Sequence, residues 1–139
     1  MIRDNQSDGI QSEFKRNPPA SGESINRCSA RLKKRLPPDY VRFLQQTNGG
    51  QGFIGRIYLV LWRVENLVDS NASYNVDEFA PGLVIFGSDG GDEAFAFDMR
   101  SDPPPIVTIP FVPMALEDAK IIAPNFDAFM QKIAQSADL

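Results

Sequence analysis

The chain contains no histidine and a single cysteine, Cys28. Without an imidazole no Ser–His–Asp or Cys–His constellation can be assembled, and one thiol with no histidine cannot complete an ordinary structural zinc site. Any chemistry would fall to carboxylates, lysine, arginine or tyrosine. A lone cysteine also excludes an intrachain disulfide, which suits a reducing compartment, so the cytoplasm is the expected location. Cys28 itself reads as a small space-filler on a helix, with no base to activate it. No apolar run approaches the roughly 18 residues of a membrane span. The longest, Ile57 to Trp62, has the length of a strand. The opening stretch, MIRDNQSDGIQSEF, carries an acid at position 4 and no apolar centre, unlike a secretory leader.

What is present describes one globular domain. At 139 residues, 42% apolar and 23% charged, the chain can bury a core without metal or disulfide. Its charge is unevenly spread: residues 1–42 hold nine Lys/Arg against five Asp/Glu, and residues 43–139 hold five against thirteen. Between Asp69 and Asp102 there are eight acids and one base, Arg100. Negative potential of that density repels nucleic acid and membrane phosphates and attracts a basic partner.

The stretch LPPDYVRFLQQTNGG, Leu36 to Gly50, specifies a helix with both ends marked. Pro37 and Pro38 fit a first turn, where missing N–H groups cost nothing, and Asp39 complements the helix dipole there. Tyr40, Phe43, Leu44 and Thr47 follow at i, i+3, i+4 and i+7, and Asn48-Gly49-Gly50 supply the stop. Before it, residues 1–22 are polar and aperiodic, which predicts a mobile lead-in with at most a helical turn near Ile10 to Phe14. Ser24 is the expected N-cap of a helix to about Arg35, with Ile25, Cys28, Leu32 and Leu36 inward. Its outer face, Arg27, Arg31, Lys34 and Arg35, lacks interleaved aromatics and reads as solvated or paired with the acidic half.

Phe53 to Trp62 alternates within an apolar run, predicting one inner strand. A short helix is expected to begin over Val64 to Val68, followed by a long polar connection, DSNASYNVDEFAPG. Leu83 to Gly87 and Glu93 to Met99 flank Ser88-Asp89-Gly90-Gly91-Asp92 as a β-hairpin. One face of the return strand holds Phe95, Phe97 and Met99, and the other Ala94, Ala96 and Asp98. Ile106 to Phe111 gives a further strand. Asn125 caps a last helix whose Phe126, Phe129, Met130 and Ile133 fall on one stripe. The order predicts a single α+β domain with a largely antiparallel sheet, over residues 23–139.

Gly50, Gly52 and Gly55 spell G-x-G-x-x-G, but the run leaves a helix and enters a strand, the reverse of a dinucleotide fingerprint, and reads as a glycine turn. Asp89, Asp92 and Glu93 fail the calcium-loop spacing, since the twelfth position from Asp89 is Arg100. Turn chemistry, a protein-contact surface and a carboxylate catalytic pair all remain open for them. Tyr40 and Trp62 read as core, whereas Tyr58 and Tyr74 suit either the core or a partner-facing anchor.

Taken together, LPPDYVRFLQQTNGG, the hairpin FGSDGGDEAFAFDMR and the closing IAPNFDAFMQKI resemble, in order, the signatures of the SUKH superfamily. The likeness runs from about Ser24 to Ile133. Asn125 stands for the usual serine before the last helix and Met130 for a leucine. The resemblance implies a single α+β domain with no enzymatic activity, no cofactor and no metal. Bacterial relatives are mostly immunity proteins that neutralise toxin domains, often nucleases, and fungal ones are hub-like regulators of cell-wall synthesis. The partner it implies is a cognate toxin protein, which the charge map makes a basic one, with no nucleic acid or membrane bound. Carried over by position, Leu36, Pro37, Tyr40, Phe43 and Leu44 are scaffold, joined by Trp62, Phe95, Phe97, Phe126 and Phe129. Asn48, Gly49, Gly50, Asp89, Gly90, Gly91 and Glu93, with Tyr74 and Asp92, are the expected protein-binding residues.

Overall fold

A computed structural model describes residues 13–136. The chain forms β1 (Lys15–Arg16), α1 (Gly22–Leu32), α2 (Pro38–Leu44), β2 (Gly50–Ile54) and β3 (Ile57–Leu61). After a 3₁₀ turn at Val64–Asn66 come α3 (Leu67–Ser73), α4 (Val76–Phe79), β4 (Leu83–Ser88), β5 (Glu93–Asp98) and β6 (Ile106–Pro110). A second 3₁₀ turn, Leu116–Asp118, leads to β7 (Lys120–Ala123) and α5 (Phe126–Ser136). The seven strands lie side by side in chain order, each antiparallel to the next. This is the single α+β domain with an antiparallel sheet that the sequence predicts.

The strand pleat sends alternate side chains to opposite faces, and the two faces build two cores. On one face Leu59, Leu61, Val84, Phe86, Phe95, Phe97 and Ile106 meet Ile25 and Cys28 of α1, Tyr40 and Leu44 of α2, Leu67 of α3 and Phe126, Phe129 and Ile133 of α5. Its centre is aromatic: Tyr40 lies 5.0 Å from Phe97 and 5.1 Å from Phe126, and Phe95 lies 4.9 Å from Phe129. The second core, on the other face, gathers Leu83, Ile85, Ala94, Ala96, Val107 and Ile109 under Val76 of α4, Ala80 just after it, and Met114. Small residues at Ala94 and Ala96 let that thin layer approach the sheet. Of the residues expected as scaffold, Leu36, Pro37, Tyr40, Leu44, Phe95, Phe97, Phe126 and Phe129 are buried, while Phe43 and Trp62 are half-buried.

Several expectations need correction. The N-cap of α1 is Ser21, whose Oγ accepts the amide of Ser24, so Ser24 sits inside the first turn. The helix ends at Leu32, where Lys33 turns left-handed at φ 59°. Phe53 to Trp62 is a hairpin, not one strand: Gly55 and Arg56 form a turn that pairs Phe53 with Tyr58. Gly50 and Gly52 therefore lie within β2, and only Gly55 belongs to a turn. A Cβ on Gly52 would collide with the carbonyl of Glu13, so glycine there lets the N-terminal segment close on the sheet. That segment departs from the expected mobile lead-in: Lys15 pairs with Gln51 and the Ala20 amide bonds the Leu44 carbonyl at 2.9 Å. Residues 10–12 of the expected helical turn lie outside the described residues, and Glu13 and Phe14 are not helical. The polar connection after Val68 is folded as α3 and α4, joined by left-handed Asn75. Asn71 ties α3 to the sheet, accepting the Ile85 amide and donating to its carbonyl at 2.8 and 2.9 Å. Strand β7 is not anticipated by the sequence reading. It closes one side of the sheet, and the Lys132 ammonium of α5 donates to its Ile122 carbonyl at 3.1 Å.

Candidate protein-binding surface

Asn48, Gly49 and Gly50 are buried and make internal contacts. The Asn48 amide side chain donates to Glu65 at 2.7 Å and accepts the Val64 amide at 2.8 Å. Its backbone receives Asn17 and donates to the Pro18 carbonyl, each at 3.0 Å. One asparagine thus joins the N-terminal segment, the end of α2 and the start of the first 3₁₀ turn. The Asn48 donor holds the Glu65 carboxyl below the usual carboxylate range. These three residues set the shape of the domain from inside it.

The hairpin turn is held rigid from within. Asp89 Oδ1 accepts the amides of Gly91 and Glu93 at 2.8 and 3.3 Å, an Asx-type turn, and Ser88 Oγ accepts Gly90 N at 3.1 Å. Gly90, at φ 82°, lies flat on the Tyr58 ring, where a Cβ would come within 2.5 Å of Cδ2. The three acids do not act together. Glu93 is on the helix-covered face, accepting Thr108 Oγ1 at 2.9 Å, whereas Asp92 is exposed and forms no ion pair with any described residue.

Around that turn the second face of the sheet is open. The thin α4 layer stops at β4, so on β2 and β3 Gln51, Phe53, Tyr58 and Val60 have no element over them among the described residues and are exposed or half-buried. Phe53 is 43% exposed and meets Tyr58 edge-on at 4.9 Å. On the other side of Val60, Trp62, Tyr74 and Phe111 form a row of rings. Tyr74, 42% exposed, stacks on Trp62 with 7° between planes at 6.2 Å and leans on Phe111 at 4.6 Å. The Phe111 amide bonds the Asp92 carbonyl at 2.9 Å, which ties the Asp92 backbone to one end of the row. Tyr74, Asp89, Gly90, Gly91 and Asp92 are therefore brought to one end of the sheet, while Asn48–Gly50 and the Glu93 carboxylate are turned away from it.

Sequence reading missed Phe53 and Phe111 and placed Trp62 wholly in the core. For Phe53 the signal exists: a Gly55-Arg56 turn sets it opposite Tyr58, on the same face as Val60. For Phe111 there is none, because its meeting with Tyr74 joins segments far apart in the chain.

The remaining charges sort by position. Arg27 pairs with Glu23, Arg31 with Asp69 and Arg42 with Asp127, at 2.8, 2.9 and 3.3 Å, so much of the basic helix layer is internally matched. Asp98 is buried at the far end of β5 from the turn, about 20 Å along a six-residue strand. Arg100 embraces it at 2.8 Å through both Nε and Nη2 and holds its carboxyl below the usual range, against the opposing effect of burial. Asp77 and Glu78 of α4, and Glu117 and Asp118 of the second 3₁₀ turn, are exposed and unpaired among the described residues, and all four belong to the thin layer. No group of three or more His, Cys, Asp or Glu among the described residues is disposed to hold a metal ion. None of the described helices is long and apolar enough to cross a membrane.

Helices α1, α2, α3 and α5 thus pack on one face of the antiparallel sheet, and α4 with the row of rings lies on the other. Residues 19–132 match the SMI1 / KNR4 family (SUKH-1), and the chain belongs to that family. No curated protein matches the chain.

Proposed function

We propose that this chain is a non-enzymatic, cytoplasmic protein-binding domain that neutralises a cognate basic toxin, a nuclease being the best fit. The observation that carries the reading is the aromatic row beside the rigid turn, at the margin of the thin α4 layer. Aromatic side chains with a polar tip give much contact area for little lost rotamer freedom and recur as interface anchors. Asp92, with Asp77, Glu78, Glu117 and Asp118 in the thin layer, has no ion-pair partner among the described residues and adds negative potential. A nuclease groove is built to hold phosphates and is therefore cationic, so an acidic surface competes for the same groups and associates quickly. Membership of SUKH-1 supports the same reading, since the resemblance implies immunity proteins among the bacterial relatives.

Co-expression with the product of the adjacent gene is the test. Growth arrest by that product alone, relieved when this chain is present, supports the reading. A harmless product, or one that stays toxic in the chain's presence, overturns it.

A further inference from the structure

We infer that the row Trp62, Tyr74 and Phe111, with Asp92 at its side, is a receptor for an arginine side chain of the protein partner. The inference rests on the protein-binding reading above and specifies the chemistry of its contact. Three observations converge on a planar cation. First, the rings are presented in a row, with Tyr74 42% exposed between two half-buried neighbours. An aromatic face carries negative quadrupole density that attracts a cation laid on it. Second, the Asp92 carboxylate is exposed and has no ion-pair partner among the described residues, and its residue is anchored to Phe111 by a 2.9 Å backbone bond. A guanidinium can stack on a ring and still donate in its own plane to a carboxylate at the ring's edge, which an ammonium cannot do. Third, the parts are pre-positioned. The Asx turn at Asp89 and the packing of Gly90 on Tyr58 fix the loop, and Asn71 fixes the helix that leads to Tyr74. Little ordering is then needed when the partner arrives. A phosphate-bearing ligand is disfavoured, because Asp92 beside Phe111 and the α4 acids Asp77 and Glu78 that follow Tyr74 are exposed carboxylates without ion-pair partners among the described residues.

Trp62 is the only tryptophan in the chain and stacks on Tyr74, so its emission reports the site directly. The probes are an acetylated tetra-arginine amide and the matching tetra-lysine amide, titrated against the full chain. Trp62 emission is followed together with the anisotropy of fluorescein-labelled copies. Both peptides carry the same charge, so Coulomb attraction alone predicts equal affinity. The expected result is a saturable change with tetra-arginine, bound at least about fivefold more tightly than tetra-lysine. Tyr74→Ala removes that preference and Tyr74→Phe restores it. Asp92→Asn weakens both peptides, and Asp102→Asn, beyond the opposite end of the hairpin, changes neither. Equal affinity for the two peptides, or a preference that survives Tyr74→Ala in a protein with unchanged circular dichroism, overturns the inference.

The two failures are separable. Toxin neutralisation without arginine preference removes the receptor and leaves the immunity reading. Arginine preference with no neutralised toxin leaves the receptor and removes that reading.

Discussion

Tyr40 and Asn48 are both buried polar residues within a few turns of each other in sequence, yet the fold treats them oppositely. Tyr40 Oη has no hydrogen-bond partner among the described residues and lies among Phe86, Phe97 and Phe126. Burial pushes its ionisation far above the ordinary tyrosine value, so it stays a neutral phenol. Its ring carries the packing and its hydroxyl adds a desolvation cost. Tyr40→Phe is therefore expected to leave stability unchanged or raise it by up to about 1 kcal/mol in urea unfolding; a loss of about 2 kcal/mol or more on that scale would refute the account. Asn48 both donates and accepts, and truncation strands the buried Val64 amide. Asn48→Ala should cost about 2–3 kcal/mol in the same measurement. The Cys28 thiol, pushed up to about 11 by burial with only slight relief from Arg31, is kept as an inert thiol at neutral pH. Asp98 gives the chain a pH response. Its carboxyl lies below the ordinary value in the fold, so its stabilisation is fully present above about pH 4 and is lost as pH falls through the lowered value. The unfolding free energy should fall more steeply below about pH 4 in the native chain than in Asp98→Asn, as chemical denaturation across pH would show.

At the scale of elements, legibility in the sequence follows the range of the forces involved. The α2 helix, the β4–β5 hairpin and α5 are each specified by residues inside them: prolines and Asp39 at a start, an Asp-Gly-Gly turn, an Asn125 cap that accepts the Ala128 amide at 2.8 Å. These are readable. The β2–β3 hairpin is hidden because Gly55 and Arg56 interrupt an otherwise unbroken apolar run, which in sequence resembles one longer strand. Helices α3 and α4 are hidden for the opposite reason. Their polar residues have weak helix preference, and only Leu67, Val76 and Ala80 reach a core. Strand β1 is short and exposed, so no pattern within it announces pairing; the signal is on its partner, in glycines that clear a path for it. The candidate site follows the same rule, with the turn readable and the row of rings a product of tertiary packing. Gly52→Ala, at φ 141° and against the Glu13 carbonyl, should release β1 while sparing the hairpin. Amide exchange checks this: protection of Glu13 and Asn17, which bond Phe53 and Gly49, should fall, and that of Ala94 and Phe95 should persist.

For the whole molecule, charge separates by layer. The helix-bearing face holds most of the arginines, several matched by neighbouring acids, and the thin layer opposite holds four exposed acids without partners among the described residues. Such a molecule approaches a cationic protein with one side leading. Association with the partner should slow as salt rises from about 0.05 to 0.5 M, while dissociation, governed by the rings, changes much less. Stopped-flow kinetics with Asp92→Lys should show a slower on-rate at low salt that converges with the native value at high salt; parallel curves at all salt concentrations would move the contact elsewhere.

A sheet that ends in border strands leaves unpaired backbone groups there, on which a second chain can template. One such border is β7, where Ile121 projects into solvent. The ammonium of Lys132, seated on the neighbouring carbonyl of Ile122, places a charge where a second molecule's strand would have to dock. Zipping of one copy onto another is thereby discouraged at that edge by a single lysine of the last helix.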